Sequence, residues 1–134
     1  LSQWIRRTTR WAIYVRDGAC LDGARCAWCD RLTQDPTLDH LTPRSLGGSH
    51  HPTNVVTACR PCNLGRRSQD WWDLADSGNA DIPTFVRLDR LRLTPLTQAH
   101  ADEGLALIVR APWAGGGPRE PFDHGDDTPY EAWV

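Results

Sequence analysis

Polar and apolar positions alternate along this chain in ways that mark out short elements. In residues 3–16 (QWIRRTTRWAIYVR), Trp4, Thr8, Trp11 and Val15 recur at helical spacing on one face, with Arg6 and Arg10 off it. This pattern predicts a helix over 3–16, stopped by Asp17-Gly18. Residues 19–35 hold short, turn-rich pieces. Thr37-Leu38-Asp39-His40 reads as a short strand, and 41–53, with two Pro and a Gly-Gly pair, as a loop. Asn54-Val55-Val56-Thr57-Ala58 reads as a second strand. Pro61 suits a first helical turn, so a helix is expected from 61 to Ser77, with Gly78 as its stop. Beyond Asn79 the segments 83–93 and 95–109 each open with Pro and carry enough Leu and Val for short helices, although 105–109 (LALIV) also reads as a strand. From Ala111 on, three Gly in a row, four Pro and several acids predict a disordered tail. The fold class expected is α+β. Its organisation is a working core over 1–80, an accessory helical segment over 81–110 and an acidic tail over 111–134.

Size and charge narrow the reading. A chain of 134 residues buries only a modest core, so a covalent or metal staple would help it. No apolar run is long enough to cross a bilayer, and the first residues lack the apolar stretch of a secretory signal. An intracellular (cytoplasmic) chain without membrane contact is therefore expected. The net charge of −2 hides an asymmetry: residues 1–70 carry +4 and residues 71–134 carry −6. All the basic residues are Arg, whose forked guanidinium matches phosphate oxygens. The chain thus divides into a basic working half and an acidic remainder.

The five cysteines change the picture most. Cys26-Ala27-Trp28-Cys29 and Cys59-Arg60-Pro61-Cys62 are two C-x-x-C pairs, able to supply four thiolates to one tetrahedral Zn²⁺. Each pair makes a tight knuckle. An intracellular chain disfavours disulfides between them, and two pairs bracketing a hairpin favour metal over redox chemistry. Cys20 is left over as a plain thiol. The segment between the knuckles holds Asp39, His40 and Asn54, so the metal closes a loop around candidate chemistry.

Taken singly, an Asp-His pair is a surface turn, an Asn before Val-Val a strand cap, and Asn63 a helix-start residue. Taken together, Leu38-Asp39-His40-Leu41-Thr42-Pro43-Arg44-Ser45-Leu46-Gly47-Gly48, then Asn54, then Cys59-Arg60-Pro61-Cys62-Asn63, form a long ordered pattern. It resembles the HNH endonucleases, over about residues 10–70. The resemblance implies a ββα-metal core, in which a two-stranded hairpin and a helix grip one divalent cation. Asp39 and Asn63 would then ligate Mg²⁺ or Mn²⁺, His40 would be the general base, and Asn54 would brace the hairpin and orient that base. Residue chemistry agrees: an imidazole accepts protons near neutral pH, and a carboxylate and an amide oxygen are hard ligands. Neighbouring strand residues point to opposite faces, so Asp39 and His40 are expected to divide the labour. The resemblance further implies hydrolysis of nucleic-acid phosphodiesters, with double-stranded DNA as the expected partner and 5′-phosphate and 3′-hydroxyl ends.

Arg10, Arg44, Arg60, Arg66 and Arg67 are the expected phosphate contacts, with Arg6, Arg7 and Arg16 adding charge. His50 and His51 read as solvated loop residues, Trp71 and Trp72 as core. One departure from the family is the insertion of Ala19 to Ala24 before the first knuckle. Two other readings fit the same elements: a zinc-knuckle module that binds nucleic acid without chemistry, and a protein-interaction domain built on 83–109 and the acidic tail.

Overall fold

A computed structural model describes residues 5–66, 88, 90, 91 and 94–115. The rest of the helix expected to run to Ser77, with Trp71 and Trp72, most of the expected segment 83–93, and the tail from residue 116 on lie outside the described residues. Helix α1 spans Arg7–Arg16. It starts later than residue 3 because Arg6 is extended (φ −64°, ψ 152°). Its buried side is wider than the single stripe read from the sequence. Thr8, Thr9, Trp11, Ala12, Ile13, Tyr14 and Arg16 are all buried, whereas Val15 is only half-buried. A helix covered on more than one side has no solvent-facing half, so its amphipathic signal is blurred.

Two short antiparallel hairpins come next in the chain. Strands β1 (Ala24–Arg25) and β2 (Leu32–Thr33) pair around the first cysteine knuckle. Strands β3 (Pro36–His40) and β4 (Val55–Cys59) pair with Pro36 opposite Cys59 and His40 opposite Val55. β4 begins one residue later than expected, since Asn54 belongs to a 3-10 turn over Pro52–Asn54. The chain runs from β4 straight into helix α2 (Arg60–Arg66), so the second knuckle straddles the strand end and the helix start. The inserted residues before the first knuckle form a turn closed by a bridge between Cys20 and Gly23.

Helix α3 spans Gln98–Arg110, which places Leu105 to Val109 in a helix and removes the strand reading. Thr97 caps it. Its Oγ1 accepts the His100 N–H (3.4 Å), while the Thr97 N–H donates to His100 Nδ1 (3.1 Å). α3 packs directly on α1. Gly104 makes that possible, because a Cβ there would meet the Trp11 backbone at 3.0 Å. A last helical turn, α4 (Pro112–Gly115), returns to the same place. Trp113 stacks on Trp11 (ring centroids 4.8 Å, 23° between planes) and its indole donates to the Cys20 carbonyl (2.9 Å). Residues 111–115 were expected in a loose tail. They instead seal the core, because a tryptophan finds there both a ring to stack on and an acceptor for its N–H.

The β3–β4 hairpin lies between two apolar clusters. Ala27, Leu41, Val56, Leu88 and Leu91, with Trp28, form one. Trp11, Tyr14, Ala24, Ala111 and Trp113, with Leu38, Leu107 and Ile108 against them, form the other. Residues directly opposite in an antiparallel pair share a face. Thr37, Asp39, Val56 and Ala58 thus face the first cluster, and Leu38, His40, Val55 and Thr57 face α1 and the second.

Candidate active site

The site is anchored by its cysteine knuckles. The Sγ atoms of Cys26, Cys29, Cys59 and Cys62 all lie within 4.8 Å of one another. Backbone N–H groups of Trp28 and Cys29 donate to Cys26 Sγ at 3.4 and 3.5 Å, which shapes the first knuckle. Cys29 Sγ and Cys59 Sγ stand 3.8 Å apart, too far for a disulfide. Thiolates at ~2.3 Å from one tetrahedral ion would themselves be ~3.8 Å apart. The four cysteines are therefore positioned to bind a metal ion. Burial, then a hydrogen bond with Cys59 and the charges of Cys26 and Cys29, push the Cys62 thiol far above its ordinary range. A cation bound beside Cys62 would favour its thiolate instead. Cys20 is exposed and lies outside the group.

The two knuckles grip β4. Ala27 N–H donates to the Thr57 carbonyl at 2.8 Å, and Cys59 ends the strand. Cys62 in turn fixes the first turn of α2, and with it Asn63. The Asn63 amide nitrogen donates to Thr37 Oγ1 (2.9 Å) and to the Leu38 carbonyl (3.3 Å). That turns its nitrogen toward β3 and leaves Oδ1 outside both bonds. Thr37 and Asp39 share a strand face, so Asn63 docks on the face that carries Asp39. Asp39 is 4% exposed, and its Oδ2 accepts the Trp28 indole N–H at 2.9 Å. The first knuckle therefore touches Asp39 directly through its own tryptophan.

His40 ends β3 on the opposite face, half-buried. The division of faces expected from strand alternation is present. His40 Nε2 lies 2.8 Å from His50 Nδ1, with the rings tilted by 53°. Asn54 closes the loop between the strands. Its Oδ1 accepts the Thr42 N–H (2.9 Å), and its Nδ2 donates to the carbonyls of Thr42 (3.1 Å) and Ser49 (2.9 Å). The Gly-Gly pair has a steric reason as well. Gly47 takes φ +90°, and a Cβ on Gly48 would collide with the Thr42 carbonyl.

The arginines separate into groups. Arg44 is exposed and donates to the Gly48 carbonyl at 3.1 Å. Arg60 is exposed and held by both oxygens of Asp35 (2.9 and 3.2 Å), which raises its own proton affinity and lowers that of Asp35. Arg10 is half-buried and donates to the Tyr14 hydroxyl at 3.3 Å. The side chains of Arg66 and Arg67 lie outside the described residues. Arg16, expected to add surface charge, is fully buried. Its guanidinium binds Asp17 (2.7 Å) and the carbonyls of Pro52 (2.8 Å) and Val55 (2.6 Å), so it holds the fold and meets no phosphate.

With its geometry in place, the pattern can be set beside known families. Residues 26–69 match the HNH endonuclease family. The matched segment opens on Cys26 and contains all four clustered cysteines together with Asp39, His40, Asn54 and Asn63. It covers about a third of the chain, leaving α1, α3 and α4 outside. Over that third, the chain is similar to a family of endonucleases. No curated protein and no solved structure matches the chain.

Two contributors were not visible in the sequence. His50 reaches His40, although its loop composition suggested solvent. Trp28 reaches Asp39, and the only hint was an indole inside a cysteine knuckle.

Proposed function

We propose that the protein is a metal-dependent endonuclease that hydrolyses phosphodiester bonds of DNA. The observation that carries this reading is the docking of Asn63, fixed by Cys62, on the hairpin face that bears Asp39, with His40 at the end of the same strand. In this reading Zn²⁺ sits among Cys26, Cys29, Cys59 and Cys62 as a structural ion. Asp39 and Asn63 hold one Mg²⁺ or Mn²⁺ through a carboxylate oxygen and an amide oxygen. When bound, that cation neutralises charge on the phosphate and on the departing oxygen.

The chain's own residues do the rest. His40 accepts a proton from the attacking water as the new P–O bond forms and the bond to the 3′ oxygen breaks. Asn54 fixes the loop that comes after His40 and so the direction of its ring. The Trp28 indole holds one oxygen of Asp39, which orients the carboxylate. Arg44 and Arg10 approach the phosphates beside the scissile bond, with Arg66 and Arg67 as further contacts. Arg60 joins them once a phosphate replaces Asp35.

The test is cleavage of supercoiled plasmid by purified, zinc-loaded protein with Mg²⁺ or Mn²⁺ and with EDTA. His40→Ala is expected to lower the cleavage rate by about 10²–10⁴-fold while zinc content and thermal midpoint stay unchanged. Equal cleavage by wild type and His40→Ala would overturn the reading. Tight DNA binding by a wild type that never cuts would leave a zinc-knuckle binding module in its place.

A further inference from the structure

We infer that His50 is the positioning residue for the His40 base, holding that ring by an imidazole-to-imidazole hydrogen bond; the inference rests on the nuclease reading. Three observations carry it. His40 Nε2 and His50 Nδ1 are 2.8 Å apart, the length of a full hydrogen bond, and the 53° tilt of the rings excludes stacking as the reason they meet. Both rings are half-buried, so the bond is partly shielded from competing water. The loop that brings His50 there is built rather than slack. The Ser49 carbonyl is taken by the Asn54 amide (2.9 Å), the His51 N–H donates to Ser49 Oγ (3.2 Å), and the His51 ring accepts the Thr53 N–H (3.2 Å). Anchors on each side of His50 leave its ring directed at His40.

The bond also selects a tautomer. A neutral imidazole has one N–H and one lone pair. If His40 Nε2–H donates to His50 Nδ1, the His40 lone pair is on Nδ1, and Nδ1 becomes the atom that takes the proton from water. The reverse arrangement, with His50 donating to His40 Nε2, would occupy the lone pair and leave no base. His50 thus plays toward His40 the part that a carboxylate or carbonyl plays toward other functional imidazoles. It also gives Asn54 a second duty, since the side chain that closes the loop also anchors Ser49, the residue before His50.

Steady-state cleavage of plasmid with Mg²⁺ tests this with His50→Ala and His50→Asn. The asparagine oxygen stands close to where Nδ1 stood and can accept the same hydrogen bond. His50→Ala is expected to lose kcat by about 10- to 100-fold with KM for DNA, zinc content and thermal midpoint unchanged, and His50→Asn to regain most of the loss. Should His50→Ala lose zinc or unfold, His50→Asn against His50→Gln, whose oxygen sits one bond further out, carries the comparison, with Asn expected to be faster. Unchanged kcat in His50→Ala, a rise confined to KM, or an Asn variant no faster than Ala or Gln would overturn the role of His50. The nuclease reading fails separately, if His40→Ala cuts as well as wild type or if wild type does not cut.

Discussion

At the residue scale the most consequential pair is Arg16 and Asp17. Both side chains are fully buried, joined at 2.7 Å, and saturated by neighbours: Asp17 Oδ2 accepts the Thr57 N–H at 2.7 Å, and Arg16 serves two carbonyls. The pair ties the end of α1 to β4, the strand that delivers Cys59. Removing one partner strands the other charge, so Arg16→Ala should cost about 3–5 kcal/mol in urea unfolding, far more than an exposed Arg. A loss no larger than that of an Arg44→Ala control would contradict the bond pattern. His100 offers a second expectation. Burial, and after it the Arg16 charge, hold its imidazole below the usual range, with Glu103 and Asp17 opposing. The unfolded chain then binds this proton at a higher pH than the folded one. Stability is full above about pH 6.5 and declines as pH falls through and below it. In His100→Gln, which keeps an acceptor for the cap, the fall in Tm from about pH 7.5 to about 5.5 should be smaller than in wild type. An equal fall would rule out His100 as a source of the pH dependence. Neither residue was legible in the sequence: Arg-Asp-Gly reads as a charged helix stop, and burial of a charge depends on which distant strand covers it.

At the scale of elements, legibility tracks how local the cause is. The two knuckles and the strands β3 and β4 could be read because a C-x-x-C turn and an alternating strand are set by neighbours in sequence. The docking of α3 on α1 could not, because it depends on Gly104 meeting Trp11 across the chain. Replacing Gly104 by Val should wedge the two helices apart and cost about 1–3 kcal/mol, despite the better helix propensity of the new side chain. A variant as stable as wild type would show that the helices are not in close contact. Trp113 makes the same point more sharply. Its surroundings in sequence are Pro and Gly, yet it stacks on Trp11 and lies against Tyr14. Trp113→Ala should destabilise by about 3–5 kcal/mol, measured by thermal or urea unfolding, whereas a loose-tail residue would cost nothing.

At the scale of the whole molecule, a small chain obtains a rigid site by clamping a hairpin between α1 and the cysteine cluster. The cluster is expected to be part of folding itself. Cys59→Ser should lose bound zinc and cooperative unfolding together, because metal binding and folding are coupled at such sites. Full zinc content with native stability in that variant would break the link. The central claim is narrower: Asp39 and Asn63 share one divalent cation beneath the hairpin. Mn²⁺ titration of zinc-loaded protein, followed by electron paramagnetic resonance, addresses it most directly. A saturable Mn²⁺ site is predicted in wild type and in His40→Ala, and it should disappear in both Asp39→Ala and Asn63→Ala. An undiminished site in either of those two variants, or no site in wild type, would contradict it.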